Sequence, residues 1–299
     1  MQRILLGLGM IAVLGGLVAG GSGAFFSDTE TSTGNTFTAG DIDLKIDNSS
    51  YALDFNIPTV ETPTGAFVAN PANSWSLKDL VPGVDHFFTF DDLKPGDYSE
   101  DTISIHVGSN NAWMCAAANL TDDSDQTCTE PELADDPTCT NPGLNGGELD
   151  NTLQFAFWKD DGDNVFEPVA GDNGGVAETI FLSGPLSNLD NAGQIKLADS
   201  TGSILGGTNP IPGDTTFYIG KMWCMGNMTA GSLVQDGSGN TINPTTAQGT
   251  GFSCDGSAVN NAAQTDKAVG DMQFYAVQSR NNPTFSCSNW TPVWPNQAQ

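Results

Sequence analysis

Residues 21–46 read GSGAFFSDTETSTGNTFTAGDIDLKI, and the end of that stretch decides the fold. Ile42, Leu44 and Ile46 alternate with Asp41, Asp43, Lys45 and Asp47. That period of two is the pattern of a strand with one buried face. The Thr- and Ser-rich residues before it are polar and β-prone, with no helical period. Upstream lie Arg3, an apolar run from Ile4 to Val18 and then small residues, the layout of an export signal. Ser22 and Ala24 flank a cut before Phe25, so residues 1–24 are read as a signal peptide that signal peptidase removes. The alternative is an uncleaved anchor, but the glycine-rich run is at the short limit for crossing a bilayer.

The same alternation recurs elsewhere in the chain. Ile103, Ile105 and Val107 alternate with Thr102, Ser104 and His106, and Leu153, Phe155 and Phe157 alternate with Gln154 and Ala156. Segments 215–223 and 270–278 are rich in aromatic and β-branched residues and predict two further strands. No segment carries a long 3.6-residue stripe with caps. Many short strands separated by Gly-, Pro- and Asn-rich loops predict an all-β sandwich. Residues 41–299 are read as one domain with two polar, cysteine-bearing insertions, near 122–150 and 226–268, that decorate its surface.

The chain has 299 residues, with 36 Asp and Glu against 9 Lys and Arg. Loss of the signal removes Arg3 and no acid, which takes the formal net charge from −27 to −28. Such a charge excludes nucleic acid and anionic membrane surfaces as partners. An acidic, lysine-poor composition suits strong salt, where self-repulsion is screened, and predicts a halophilic archaeal source. Cys115, Cys128, Cys139, Cys224, Cys254 and Cys287 are even in number and contain no Cys-x-x-Cys pair, so an exported chain would oxidise them to disulfides. Six cysteines allow 15 connectivities; Cys128 and Cys139, which bracket an acidic insertion, are the favoured local pair. Sequons at Asn48, Asn119, Asn227 and Asn289 are candidate glycosylation sites.

Chemistry is sparse. His86 and His106 are the only histidines and neither belongs to a zinc-binding His-Glu-x-x-His motif. Asp160-Asp161-Gly162-Asp163-Asn164-Val165-Phe166-Glu167 is the best ligand signal. Its closely spaced carboxylates offer hard oxygen donors for calcium, with Asp160, Asp161, Asp163 and Glu167 as ligands. The spacing departs from an EF-hand loop, and an acidic hairpin turn after the strand at 153–158 is the competing reading. Leu93-Lys94-Pro95-Gly96-Asp97 predicts a type II turn. The tail Trp290, Pro292, Trp294 and Pro295 is expected to pack across one end of the sandwich.

The run 24–30, AFFSDTE, together with 35–40, NTFTAG, and 41–44, DIDL, resembles the opening of the TasA/camelysin family of exported biofilm-fibre proteins and their archaeal bundling-pilus relatives. LKPGD at 93–97, Trp158 with DDGDN at 160–164, and QSRNN at 278–282 are similar to the same family. The resemblance implies a jelly-roll-like sandwich and a subunit that polymerises head to tail by donor-strand complementation, with itself as partner and neighbouring filaments in bundles. The donor would start at Phe25, Phe26, Ser27, Asp28, Thr29 and Glu30, within the segment 25–40. It also raises two alternatives, a secreted camelysin-like metallopeptidase and a monomeric cell-surface binding module.

Overall fold

The computed structural model describes residues 27–31, 42–54, 66–90, 92–141, 143–172, 175–236, 244 and 249–294. The expected signal peptide, its cleavage site, Phe25, Phe26 and Pro295 lie outside these. In chain order the strands are β1 (Ser27–Thr31), β2 (Lys45–Asp54), β3 (Ala66–Ala69), β4 (Trp75–Lys78) and β5 (Tyr98–His106). Then come β6 (Ala112–Asp125), β7 (Gly143–Leu144), β8 (Leu153–Asp160), β9 (Thr179–Pro185) and β10 (Gln194–Asp199). The last are β11 (Gly202–Ser203), β12 (Thr216–Met225), β13 (Asn227–Ala230), β14 (Phe252–Asp255) and β15 (Asp266–Gln278). Helices among the described residues are short, at Glu130–Asp135, Leu149–Thr152 and Leu186–Asn191.

Two large antiparallel sheets form, beside a two-stranded one of β13 and β14. One runs β1-β15-β6-β10-β11, with β7 attached to β6; the other runs β3-β2-β5-β12-β8-β9, with β4 attached to β2. The strict alternation at 41–47 has the expected result: Ile42, Leu44 and Ile46 are all buried. Met114, Ala116, Met272, Phe274 and Ala276 of the first sheet share one core with Ile103, Ile105, Phe155, Phe217 and Trp223 of the second. Phe87 bridges the layers, edge-on to Phe274 at 5.9 Å and to Trp75 at 5.1 Å. Full burial of one such side chain is worth about 1.5–3 kcal/mol.

The inward face is not wholly apolar. Lys221 lies in line with Phe217, Ile219 and Trp223, and its Nζ sits 3.0 Å from Asp101 of β5 with both side chains fully buried. The same ammonium donates to the Phe87 carbonyl and lies 3.7 Å from the centre of the Phe88 ring. Burial pushes the Asp101 pKa up and the Lys221 pKa down, and each group's charge opposes the other's shift.

The outer face of the second sheet is also covered, which the alternation at 102–106 did not foretell. Thr102 and Ser104 are buried rather than solvated. The loop after β8 and the β13–β14 ladder close over them with a small core of Trp158, Phe166 and Met222, against which Phe252 and Met228 pack. The Trp158 indole crosses the backbone of β12 at Gly220, where a Cβ would meet the ring at 2.0 Å. The second insertion thus encloses a sheet face instead of only decorating it. The ladder of β6 and β15 extends through Asp125 and Asp266.

All six cysteines pair, as Cys115–Cys287, Cys128–Cys139 and Cys224–Cys254. The first ties the tail to β6; beside it Trp290 stacks on Tyr275 at 5.3 Å, and the Gln273 amide exchanges two hydrogen bonds with the Val293 backbone. The tail therefore packs along β15 of the first sheet rather than across one end of the sandwich. The predicted turn is present: Asp97 N donates to the Lys94 carbonyl at 2.9 Å, and Gly96 holds φ +93.

Candidate metal centre

The loop leaving β8 is built to turn acids inward. Gly162 at φ +113 and Asn164 at φ +66 take left-handed conformations that reverse the chain within a few residues. Asp160 Oδ2 accepts from Thr102 Oγ1 at 2.8 Å and from Asn164 N at 3.3 Å. Asp163 Oδ1 accepts from Val165 N at 3.0 Å. The 160–167 stretch is thus a turn that gathers carboxylates.

Asp160, Asp161 and Asp163 each place a carboxylate oxygen within 4.8 Å of the others, and Asp161, Glu167 and Asp236 form a second such group. All four residues singled out from sequence thus fall in one region. Three further acids join them. Glu178, just before β9, accepts from Asp161 N at 3.0 Å and from Glu167 N at 2.9 Å. Asp236 arrives from the second insertion, donating its backbone N–H to Glu167 at 3.3 Å, while Gln235 Nε2 donates to Asp161 at 2.9 Å. Glu100 rises from β5, its carbonyl accepting from Asn164 Nδ2 at 3.5 Å.

Glu100 is the telling residue. It is fully buried and neither carboxylate oxygen has a hydrogen-bond partner; Asp160 Oδ1, Asp161 Oδ1, Asp163 Oδ2 and Asn164 Oδ1 are likewise unpartnered. Among the described residues no lysine, arginine or histidine forms an ion pair with Glu100, Asp160, Asp161, Asp163 or Glu178. Burying one uncompensated carboxylate costs several kcal/mol, so it neutralises or binds a cation. Protonation is favoured throughout. Burial, then the charges of Asp160, Asp101, Asp163 and Glu178, hold the Glu100 pKa well above the carboxylate range. Burial and neighbouring acids push Asp163 to about 8 and Glu178 to about 10. Burial also raises Asp160 to about 6, against the hydrogen bond from Thr102. Glu100 lies just before the alternation read at 102–107 and carried no signal in the sequence, nor did Glu178 and Asp236.

Other singled-out residues are placed as follows. Asn48 is buried, its amide donating to the Asn73 carbonyl at 2.6 Å and to Asp101 at 3.3 Å, so this sequon is closed to an oligosaccharide. Asn227 and Asn289 are exposed and Asn119 is half-buried. Ser27, Asp28, Thr29 and Glu30 pair with Val277, Ala276, Tyr275 and Phe274 of the same chain, at the edge of the first sheet.

Residues 2–57 match the family model described as Camelysin metallo-endopeptidase. Over this segment the chain is similar to the TasA/camelysin family. The match ends within the β2–β3 connection and leaves the acidic site outside it. No match was found among curated proteins or solved structures.

The metal that the family description implies for peptidase chemistry meets no fitting donors here. His86 is exposed, and His106 lies 3.3 Å from Thr216 Oγ1 and 3.6 Å from Asp47. Among the described residues neither histidine joins a cluster of three metal-ligating side chains, and every cysteine is in a disulfide. Zinc peptidase centres are built on imidazole ligands with an adjacent base, a set that the described residues do not assemble. The carboxylate site is all oxygen, the donor set of calcium.

Proposed function

We propose that this protein is an exported structural subunit that polymerises by donor-strand exchange into extracellular filaments, with calcium holding its fold. The observation that supports this reading is the position of β1. Ser27–Thr31 forms the outermost strand of the first sheet, held through an antiparallel ladder with Thr31 opposite Gln273 and Ser27 opposite Val277. It lies just downstream of the expected cleavage at Phe25. An edge strand at a chain terminus is the one element that can leave its own sheet and offer the same ladder to the β15 of a neighbour. Repeated head to tail, that contact does not close, and a filament results. No described helix is long and apolar enough to cross a membrane.

Calcium is the cation whose chemistry suits Asp160, Asp161, Asp163 and Glu167, with Glu100 completing the site from β5. A surface-binding monomer would keep β1 in its own sheet permanently. Negative-stain microscopy and sedimentation of the cleaved protein in strong salt separate the two. Fibres from the intact chain, and none after deletion of residues 25–33, support exchange; monodisperse particles from both refute it.

A further inference from the structure

We propose a second divalent-cation site, of the calcium class, in the first insertion, with Asp125, Asp136 and Glu148 as its ligands. One carboxylate oxygen from each lies within 4.8 Å of the other two. The three come from separate places: Asp125 ends β6, Asp136 follows the helix Glu130–Asp135, and Glu148 precedes the helix Leu149–Thr152. The site lies in a different sheet from the one around Asp160 and is independent of the filament reading.

The observation beyond clustering is the state of the oxygens. Asp125 is 1% exposed and Asp136 8% exposed, and each keeps one oxygen without a hydrogen-bond partner, Oδ1 and Oδ2 respectively. Their other oxygens are tied to backbone: Thr140 N donates to Asp125 Oδ2 at 3.1 Å, and Thr138 N to Asp136 Oδ1 at 2.9 Å. Glu148 Oε2 is unpartnered too. Anchoring one oxygen while leaving its twin bare orients a carboxylate toward a ligand, and a bare buried carboxylate oxygen is costly without one.

Asp266 sharpens the case. It opens β15 directly opposite Asp125 in the ladder. Like charges facing each other across an antiparallel pair are destabilising. Its Oδ2 accepts from Glu148 N at 2.6 Å and Leu149 N at 3.2 Å, while Oδ1 has no partner. The neighbouring cation on β15, Lys267, is committed to Asp122 at 3.0 Å. A divalent ion between the strands would convert this repulsion into a clamp. Gly143 closes over Asp125, where a Cβ would stand 2.1 Å from Oδ2, so the loop lies against the carboxylate itself. Glu132 is not counted as a ligand: its carboxylate caps its own helix through Thr129 N at 3.0 Å, and its neighbour Cys139 is in the disulfide.

The test is calorimetric titration of chelator-stripped, full-length, disulfide-intact protein with calcium chloride alone, beside limited proteolysis of residues 126–147. Glu148→Gln and Asp136→Asn should each lose one equivalent of calcium or bind it at least tenfold more weakly. Glu100→Gln, altered only at the other site, should keep that equivalent. Calcium should protect the 126–147 segment in the wild type and in Glu100→Gln, and lose that effect in Glu148→Gln. Unchanged stoichiometry and affinity in both insertion variants overturns the proposal. If those variants fail to fold, the wild type decides alone: equal cleavage of 126–147 with and without calcium overturns it.

Discussion

Replacing Glu100 with glutamine should change the stability of the protein with opposite signs in the presence and absence of calcium. Glu100 is fully buried with two unpartnered oxygens, so the cation-free fold must carry it protonated. Unfolded, the side chain titrates at the ordinary glutamate value of 4.5 and is ionised at neutral pH. Folding at pH 7.5 therefore takes up a proton, at a cost of about 1.4 kcal/mol for each of the roughly three pH units above that value, or about 4 kcal/mol. Glutamine has the shape of the protonated acid and escapes that cost. In chelator, Glu100→Gln should raise the unfolding midpoint by about 10 °C, at about 2–4 °C per kcal/mol for a domain of this size. The sign follows from linkage: a raised folded pKa gives stability that is fully present below about 4.5 and is lost as pH climbs. The gain should vanish near pH 4.5. In calcium the order should invert. A ligand at about ten-thousandfold its dissociation constant stabilises the wild type by about 5.5 kcal/mol, more than the variant's gain of about 4, and the variant has lost a charged donor. Differential scanning calorimetry at two pH values, with and without calcium, reads all four states. A variant less stable than the wild type in chelator at pH 7.5, or an equal calcium shift in both proteins, would rule out a buried, cation-binding Glu100.

Lys221→Met should destabilise by about 3–5 kcal/mol in urea unfolding because it strands Asp101, whereas the double change Asp101→Leu with Lys221→Met should recover most of that loss. Serine replacement of Cys115 and Cys287, separated by 172 residues, should cost about 5 kcal/mol on the chain-entropy scale. The same change at Cys128 and Cys139, 11 apart, should cost about 3, both read from thermal midpoints. Deleting residues 25–33 should abolish fibres in sedimentation while circular dichroism still reports the two sheets; a misfolded truncation would place these residues in their own domain's core.

The parts of the fold that were legible in sequence are those where one period governs. Ile42, Leu44 and Ile46 are buried because alternation places successive side chains on opposite faces and one face meets the core. Thr102 and Ser104 follow the same alternation yet are buried too, because residues far along the chain, Phe166 and Phe252, roof that face. Alternation reports which face a residue occupies and is silent on what later covers it. The site divides in the same way. Asp160, Asp161, Asp163 and Glu167 were found because they are neighbours in sequence and share a turn signal. Glu100, Glu178 and Asp236 reach them through strand pairing and a distant loop. Lys221 reads as an interruption in an apolar strand until Asp101 appears opposite it in the ladder.

The acid excess has two locations, one exposed and one enclosed. Read from composition, it is a solvated surface adapted to strong salt. In the fold, however, Glu100, Asp101, Asp125, Glu132, Asp160, Asp163 and Glu167 are each no more than 3% exposed. Monovalent salt shortens the Debye length from about 30 Å at 0.01 M to about 3 Å at 1 M, which quiets repulsion between exposed charges on separate molecules. It does little for carboxylates enclosed beneath Phe166 and Phe252, which are relieved by protonation or by a cation that coordinates them. Sodium chloride and calcium should therefore act on separate observables. Raising sodium chloride from about 0.1 to about 1 M in chelator should lengthen fibres, yet leave most of the midpoint difference between wild type and Glu100→Gln. Millimolar calcium in the dilute salt should reverse that difference. Fibre length by microscopy and midpoints by calorimetry on the same samples keep the two effects apart. If sodium chloride alone erases the midpoint difference, Glu100 is screened by solvent and the buried metal centre is wrong.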